Sequence, residues 1–117
     1  MRVALVVVDR AGGCIASARM DGVAAYTFDF ASGKAAFSGC SGRSTEEFLE
    51  ARLTHSEPLW RAFTEDPRFF LVPGGHPLVV DGECLGGIGV SGAKYEDDKK
   101  VAEAAAGWLA AVASPTS

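Results

Sequence analysis

A glycine-rich segment near residue 90 has the residue types best suited to holding a ligand. Gly86, Gly87 and Gly89 punctuate a predicted strand, and Ser91 and Gly92 follow it just before a predicted helix. A strand end of this kind presents backbone N–H groups and the positive end of a helix dipole, which suits a carboxylate or phosphate. Gly89, Ser91 and Gly92 are therefore predicted ligand-binding residues.

The same glycines also fit a purely structural role, in which they permit a tight turn and close packing of the strand on a helix. Asp97 and Asp98 open the following helix, and acids in a first helical turn already satisfy the dipole. They argue against a strongly anionic ligand at that helix.

The predicted site also includes the turn formed by Gly74 and Gly75 and the histidine that follows it. His76 could carry a proton, or it could be an ordinary solvent-facing turn residue. His55 is a weaker candidate.

Other chemistries find little support in the sequence. Cys14, Cys40 and Cys84 are far apart and form no pair or Cys/His cluster at metal-ligand spacing, so no metal site is predicted. No GxSxG nucleophile motif is present, and the glycines of residues 86–89 lie in a hairpin strand rather than in a dinucleotide-binding turn.

Two β-hairpins must position these residues. The first is predicted to pair residues 3–8 with 14–20, and the second to pair 77–80 with 83–90. A further strand is predicted over 68–72. Because strand 3–8 is apolar on both faces, helices must cover the sheet on both sides, which gives an α+β fold.

Four helices are predicted from apolar spacing and capping residues. Ser44 and Glu47 form a capping box, and Ser56 caps a helix that carries Pro58 in its first turn. Trp60 and Trp108 lie on helical stripes and are expected in the core or at an interface. The predicted helices cover 28–39, 45–53, a short segment after Ser56, and 95–112.

The length and the charge of the chain limit the functions that it can have. A chain of 117 residues makes one domain, expected over residues 1–113 with a disordered tail at 114–117. The formal net charge of −4 argues against nucleic-acid binding, and no apolar run is long enough to span a membrane. Without a leader-like segment, and with three unpaired cysteines, the chain is predicted to be cytoplasmic.

Several motifs occur together in an order more specific than any one of them. They are Arg19-Met20-Asp21-Gly22, Lys34-Ala35, Pro73-Gly74-Gly75, Asp81-Gly82, Gly86 to Gly92, and Asp97-Asp98. In this order the sequence resembles the GlcG/HbpS-like haem-binding family, which includes domains like the carboxyl-terminal part of PduO.

The resemblance implies a profilin-like antiparallel sheet of about five strands flanked by helices, assembly into a homo-oligomer of dimers or larger, and haem as a cofactor. It also implies that Arg19 and Lys34 are the cations nearest a ligand carboxylate, because the matching segments lie together in the family fold, with exposed pairing to Asp21 or Asp29 as the alternative. His76 is then a candidate ligand for haem iron. Family members normally begin with a long helix that contributes a histidine to haem. Here the first strand starts at residue 3, so no counterpart of that helix is expected.

Three hypotheses follow. The first is a non-catalytic module that binds haem or another small carboxylate-bearing molecule. The second is a small enzyme acting on an organic acid, with Arg19 or Lys34 holding the carboxylate and His76 or Asp97 moving a proton. The third is a structural partner of another protein.

Overall fold

The computed structural model describes residues 2–113, and the predicted tail at 114–117 lies outside them. Its strands and helices follow one another along the chain as β1 (Ala4–Asp9), β2 (Cys14–Arg19), α1 (Ala25–Ser41), α2 (Thr45–Glu50), a short 3₁₀ turn (Arg52–Thr54), α3 (Glu57–Thr64), β3 (Gly75–Val80), β4 (Glu83–Ser91) and α4 (Tyr95–Ala113).

The described residues form an antiparallel four-stranded sheet in the order β2-β1-β4-β3. The two predicted hairpins are present, and pairing of β1 with β4 joins them edge to edge. Side chains of β1 alternate between the two faces of the sheet and so divide the core into two layers. Ala4, Val6 and Val8 pack against α1, and Leu5 and Val7 pack on the side of α4. The prediction of an α+β fold with helices on both sides is confirmed.

The prediction of a strand over 68–72 is wrong, so the sheet has four strands rather than about five. Residues 68–72 form a turn and coil. The Asp66 carboxylate accepts the Arg68 backbone N–H at 2.9 Å, and the Phe69 N–H donates to the Asp66 carbonyl at 3.1 Å. This turn directs Phe69 and Phe70 onto α1, so the apolar run is partly buried by side-chain packing rather than by strand pairing.

An aromatic cluster ties α2 and α3 to α1. Phe37 is fully buried and makes edge contacts with Phe48, Phe63 and Phe69, while Trp60 stacks on Phe48 with ring centroids 5.2 Å apart. The capping hydrogen bond predicted at Ser44 is present, since its hydroxyl accepts the Glu47 N–H at 3.2 Å. The predicted helix 45–53 is α-helical only to Glu50 and then tightens into the 3₁₀ turn.

The α-helices of this domain range from 6 residues in α2 to 19 residues in α4. Among residues 2–113, none combines the length and the apolar character needed to cross a lipid bilayer.

Candidate functional site

The strand register brings most of the predicted site residues to one end of the sheet. Ala4, at the start of β1, pairs with Arg19 on one side and Ser91 on the other, and Gly75 at the start of β3 pairs with Gly89. The predicted residues that share this end are Arg19, Gly74, Gly75, His76, Gly89, Ser91 and Gly92.

Lys34 reaches this end from α1 and is completely enclosed. Its ammonium donates to the Val90 carbonyl at 2.8 Å and lies 3.2 Å from a carboxylate oxygen of Asp98. Asp98 also accepts the Ala93 N–H at 3.0 Å, and its side chain is only 1% exposed. Lys34 therefore forms a buried ion pair with Asp98 rather than an exposed pair with Asp21 or Asp29.

Burial governs the ionisation of this pair. Removal from water lowers the pKa of Lys34 below its ordinary value of 10.5, and the neighbouring Asp98 charge and hydrogen bond offset part of that effect. Burial likewise raises the pKa of Asp98, against the opposing influence of Lys34 and of the hydrogen bond from Ala93. For both groups, the largest influence on the pKa is the loss of water around the charge.

The ion pair fills the corner where β4 meets α4. A Cβ at Gly74, whose φ is +127°, would lie 2.8 Å from the Lys34 ammonium, so the turn before β3 closes directly over the pair. A ligand could contact Lys34 only by displacing these groups.

Gly89 allows α1 to lie directly on β4. A Cβ there would collide with the Ala31 carbonyl and lie 2.6 Å from the Ala35 nitrogen. Close backbone approach, the structural role that the sequence left open for these glycines, is confirmed at this position.

An open recess of about 290 Å³ lies beside the filled corner, at the amino terminus of α1. It is lined by Arg2, Gly92, Tyr26 and Thr27, together with the loop 22–24. The N-cap residue Ala24 provides no side-chain hydrogen bond, and the first turn of α1 contains no acidic residue. The positive end of this 17-residue helix is therefore uncompensated at the recess, and the Arg2 guanidinium adds a full positive charge.

Aromatic side chains continue from this recess along α1. Tyr26 is 61% exposed and makes an edge contact with Phe30, which stacks on Phe70 with centroids 4.4 Å apart. The Lys34 ammonium lies beneath this surface, 6.0 Å from the Phe70 ring and 5.7 Å from that of Tyr95. We call Tyr26, Phe30, Phe70 and Tyr95 the aromatic strip.

The remaining candidates lie outside the recess. Arg19 is exposed at the end of β2, His76 is half-buried on the edge strand β3, and Ser91 is buried. His55 lies in the aromatic cluster, stacked on Phe48. Cys40 lines a separate, more apolar recess of about 360 Å³ near Phe63.

Sequence reasoning predicted Gly92 but missed Arg2 and the exposed amino terminus of α1. A local signal existed, because Ala24 and Ala25 stand where a capping residue would be expected and no acid follows in the first turn. Only the tertiary structure brings Arg2 to this helix, because the antiparallel pairing of β1 with β2 places the start of β1 beside the loop that precedes α1.

Comparisons with known proteins agree with this architecture. Residues 1–107 match the family described as "Haem degrading protein HbpS-like". A relative from Citrobacter freundii, an uncharacterized 15.0 kDa protein in the dhaT-dhaS intergenic region, is 30% identical over 99 residues, which cover 85% of this chain and 70% of the relative.

Solved structures show the same fold. Klebsiella pneumoniae protein ORFY superposes with a TM-score of 0.78 at 27% identity, over 91% of this chain and 73% of its own. A double mutant of Streptomyces reticuli HbpS gives 0.79 at 29% identity, over 92% and 71%. The PduOC:haem complex, at 23% identity, a TM-score of 0.77 and coverage of 91% and 77%, shows a likeness of fold alone. The resemblance read from the sequence motifs is confirmed, and the chain belongs to the HbpS-like haem-degrading protein family.

Proposed function

We propose that this chain is a non-catalytic binding module for a planar, carboxylate-bearing molecule, haem or a related tetrapyrrole, and that it acts as a homo-oligomer. The observation that carries the proposal is the continuity of the positively charged recess at α1 with the aromatic strip. The family description, which names haem, supports the same ligand class.

The recess supplies the polar half of such a site. Free backbone N–H groups at a helix amino terminus bind carboxylates, and the dipole favours negative charge there. Arg2 is exposed, and no carboxylate among the residues 2–113 forms an ion pair with it. These groups would hold the propionates of a tetrapyrrole.

The aromatic strip supplies the apolar half. Tyr26 belongs both to the recess and to the strip, so a ligand carboxylate at Arg2 would bring the attached ring system against Tyr26 and Phe30. Aromatic side chains contact flat apolar ligands over a large area. Haem, when bound, would bring a redox-active iron, and this chain's own groups would hold its edge and face.

The size of the recess bears on the oligomer. At about 290 Å³ it lies at the lower limit of ligand pockets, which are typically about 300–1,000 Å³. It can hold the acidic end of a ligand but not the whole macrocycle. A second copy of the chain would complete the enclosure.

We also propose that the protein acts in a reducing, cytoplasmic compartment, because its three cysteines are free thiols.

Titration with haemin tests the ligand. We expect saturable binding with a shift of the Soret band, and about tenfold weaker binding for Arg2→Gln because a charge-assisted contact to a carboxylate is lost. Arg10 is also exposed, in the turn after β1, and Arg10→Gln should bind haemin as the unaltered protein does. The same titration of His76→Ala shows whether that histidine contributes to haemin binding.

Absence of saturable binding would exclude haem as the ligand. Equal affinities of the Arg2 and Arg10 variants would exclude the recess as the place where haem binds.

Assembly is tested separately by sedimentation. Trp108 on α4 is 65% exposed, and Ile15 is exposed on the edge strand β2, both of which suit an interface between copies. We expect the protein to sediment above its monomer mass of 12.2 kDa, and Trp108→Arg to shift it toward monomer. Leu53→Arg, at a site 97% exposed, is the matched control, and a monomeric unaltered protein at micromolar concentration would contradict oligomerisation.

A further inference from the structure

A second cluster of polar side chains lies at the outer edge of the sheet, on strand β3. It consists of Glu46 in the first turn of α2, His76 near the start of β3, and Glu103 on α4. One potential ligand atom from each residue lies within 4.8 Å of the other two. None of the three lines the recess at α1.

The fold explains how three separate elements meet there. The Gly75 N–H donates to the Thr45 hydroxyl at 3.0 Å, which fixes the start of α2 beside the start of β3. Gly75 points toward α1, so His76, the next residue on the strand, points to the side of α4. Glu46 follows Thr45 and thereby reaches the same edge.

Two atoms of this cluster lack partners. Glu46 Oε2 and His76 Nδ1 are buried, and neither forms a hydrogen bond with any residue in 2–113. Buried polar atoms are nearly always paired, because leaving one unsatisfied is unfavourable. Two such atoms in one cluster, which the Glu103 carboxylate completes, indicate that something else satisfies them.

We propose that Glu46, His76 and Glu103 bind a divalent transition-metal ion such as Zn²⁺. One imidazole and two carboxylates form a ligand set that such ions accept, with bonds of about 2.0–2.2 Å. The ligand atoms must move together slightly to reach these distances. Glu103 is exposed and is held only by a 3.9 Å surface contact with Lys99, so it is free to do so.

Three protein ligands leave a coordination position open to water or to an exogenous anion. The site therefore has the composition of an exchangeable surface metal site rather than a closed structural one. It does not depend on haem binding, because it shares no residue with the recess.

Isothermal titration of the metal-free protein with Zn²⁺ tests the proposal. We expect one ion per chain, together with a rise in melting temperature when the ion binds. Glu46→Gln, His76→Gln and Glu103→Gln should each weaken binding by about tenfold or more. Glu47→Gln removes a charge from the exposed neighbour of Glu46, and it should bind Zn²⁺ normally.

The exposed thiol of Cys14 is a competing ligand, so Cys14→Ser is included and should leave the affinity unchanged. Circular dichroism of the metal-free variants checks that each one is folded. If Glu46→Gln or His76→Gln does not fold, Glu103→Gln still decides the test, because Glu103 lies on an exposed face of α4. The proposal is overturned if Zn²⁺ does not bind stoichiometrically, if Glu103→Gln binds like the unaltered protein, or if Cys14→Ser abolishes binding.

Discussion

Asp98→Asn is expected to destabilise the protein by about 3–5 kcal/mol, because it leaves the Lys34 ammonium buried without its counter-ion. Lys34→Met should have an effect of similar size, since it leaves the Asp98 carboxylate enclosed without a cation. Both substitutions nearly preserve side-chain volume, so the loss reports on charge rather than on a cavity. Urea denaturation followed by circular dichroism measures the free energy of unfolding.

The double variant Lys34→Met/Asp98→Asn separates pairing from burial. With neither charge present, we expect it to lose about 2 kcal/mol less than the sum of the single losses. Strict additivity of the two effects would show that the ammonium and the carboxylate do not interact energetically, contrary to the 3.2 Å contact between them.

The pH dependence of Asp98→Asn gives an independent check. Asp98 raises the pKa of Lys34, so its removal lowers that pKa further below 10.5. A group with a lowered pKa in the folded state contributes stability that is fully present above its unfolded pKa and is lost as the pH falls through the folded pKa. The deficit of Asp98→Asn should therefore shrink as the pH is raised from 7 toward 10.5, and a constant or growing deficit would contradict a charged, buried Lys34.

Gly89→Ala is expected to produce the second large loss, about 3 kcal/mol or more. The added Cβ meets the backbone of α1 at Ala31 and Ala35, which cannot move away without separating the helix from β4. Because the clash is with backbone atoms, no change of side-chain rotamer relieves it. Thermal and urea denaturation measure the loss.

Gly107→Ala is the matched control for that substitution. A Cβ at Gly107 meets nothing within 4 Å, and alanine is favoured over glycine inside a helix. We expect Gly107→Ala to stabilise the protein by about 0.5–1 kcal/mol. If Gly89→Ala were tolerated equally well, the close approach of α1 to β4 would not be required for folding.

Much of the fold could be predicted because its signals are local. Residues close together in sequence specify the alternating strands and turns of the two hairpins. They also specify the helix caps at Ser44 and Ser56. The prediction of a strand over 68–72 is wrong because a short apolar run is equally compatible with a coil whose side chains are partly buried. The conformation of this segment depends on the turn at Asp66 and on the packing of Phe69 and Phe70 against α1.

The site was predicted less completely, for a physical reason. From the sequence we could predict the family, the hairpins and the glycines that let backbones approach, because these features depend on residue order and local conformation. Three-dimensional packing was needed to show that Lys34 forms an ion pair with Asp98, sixty-four residues away. It was also needed to show that Arg2 lies at the uncapped amino terminus of α1, and that Glu46, His76 and Glu103 converge. Each of these contacts joins distant segments, and the packing geometry that creates them has no local signature in the chain.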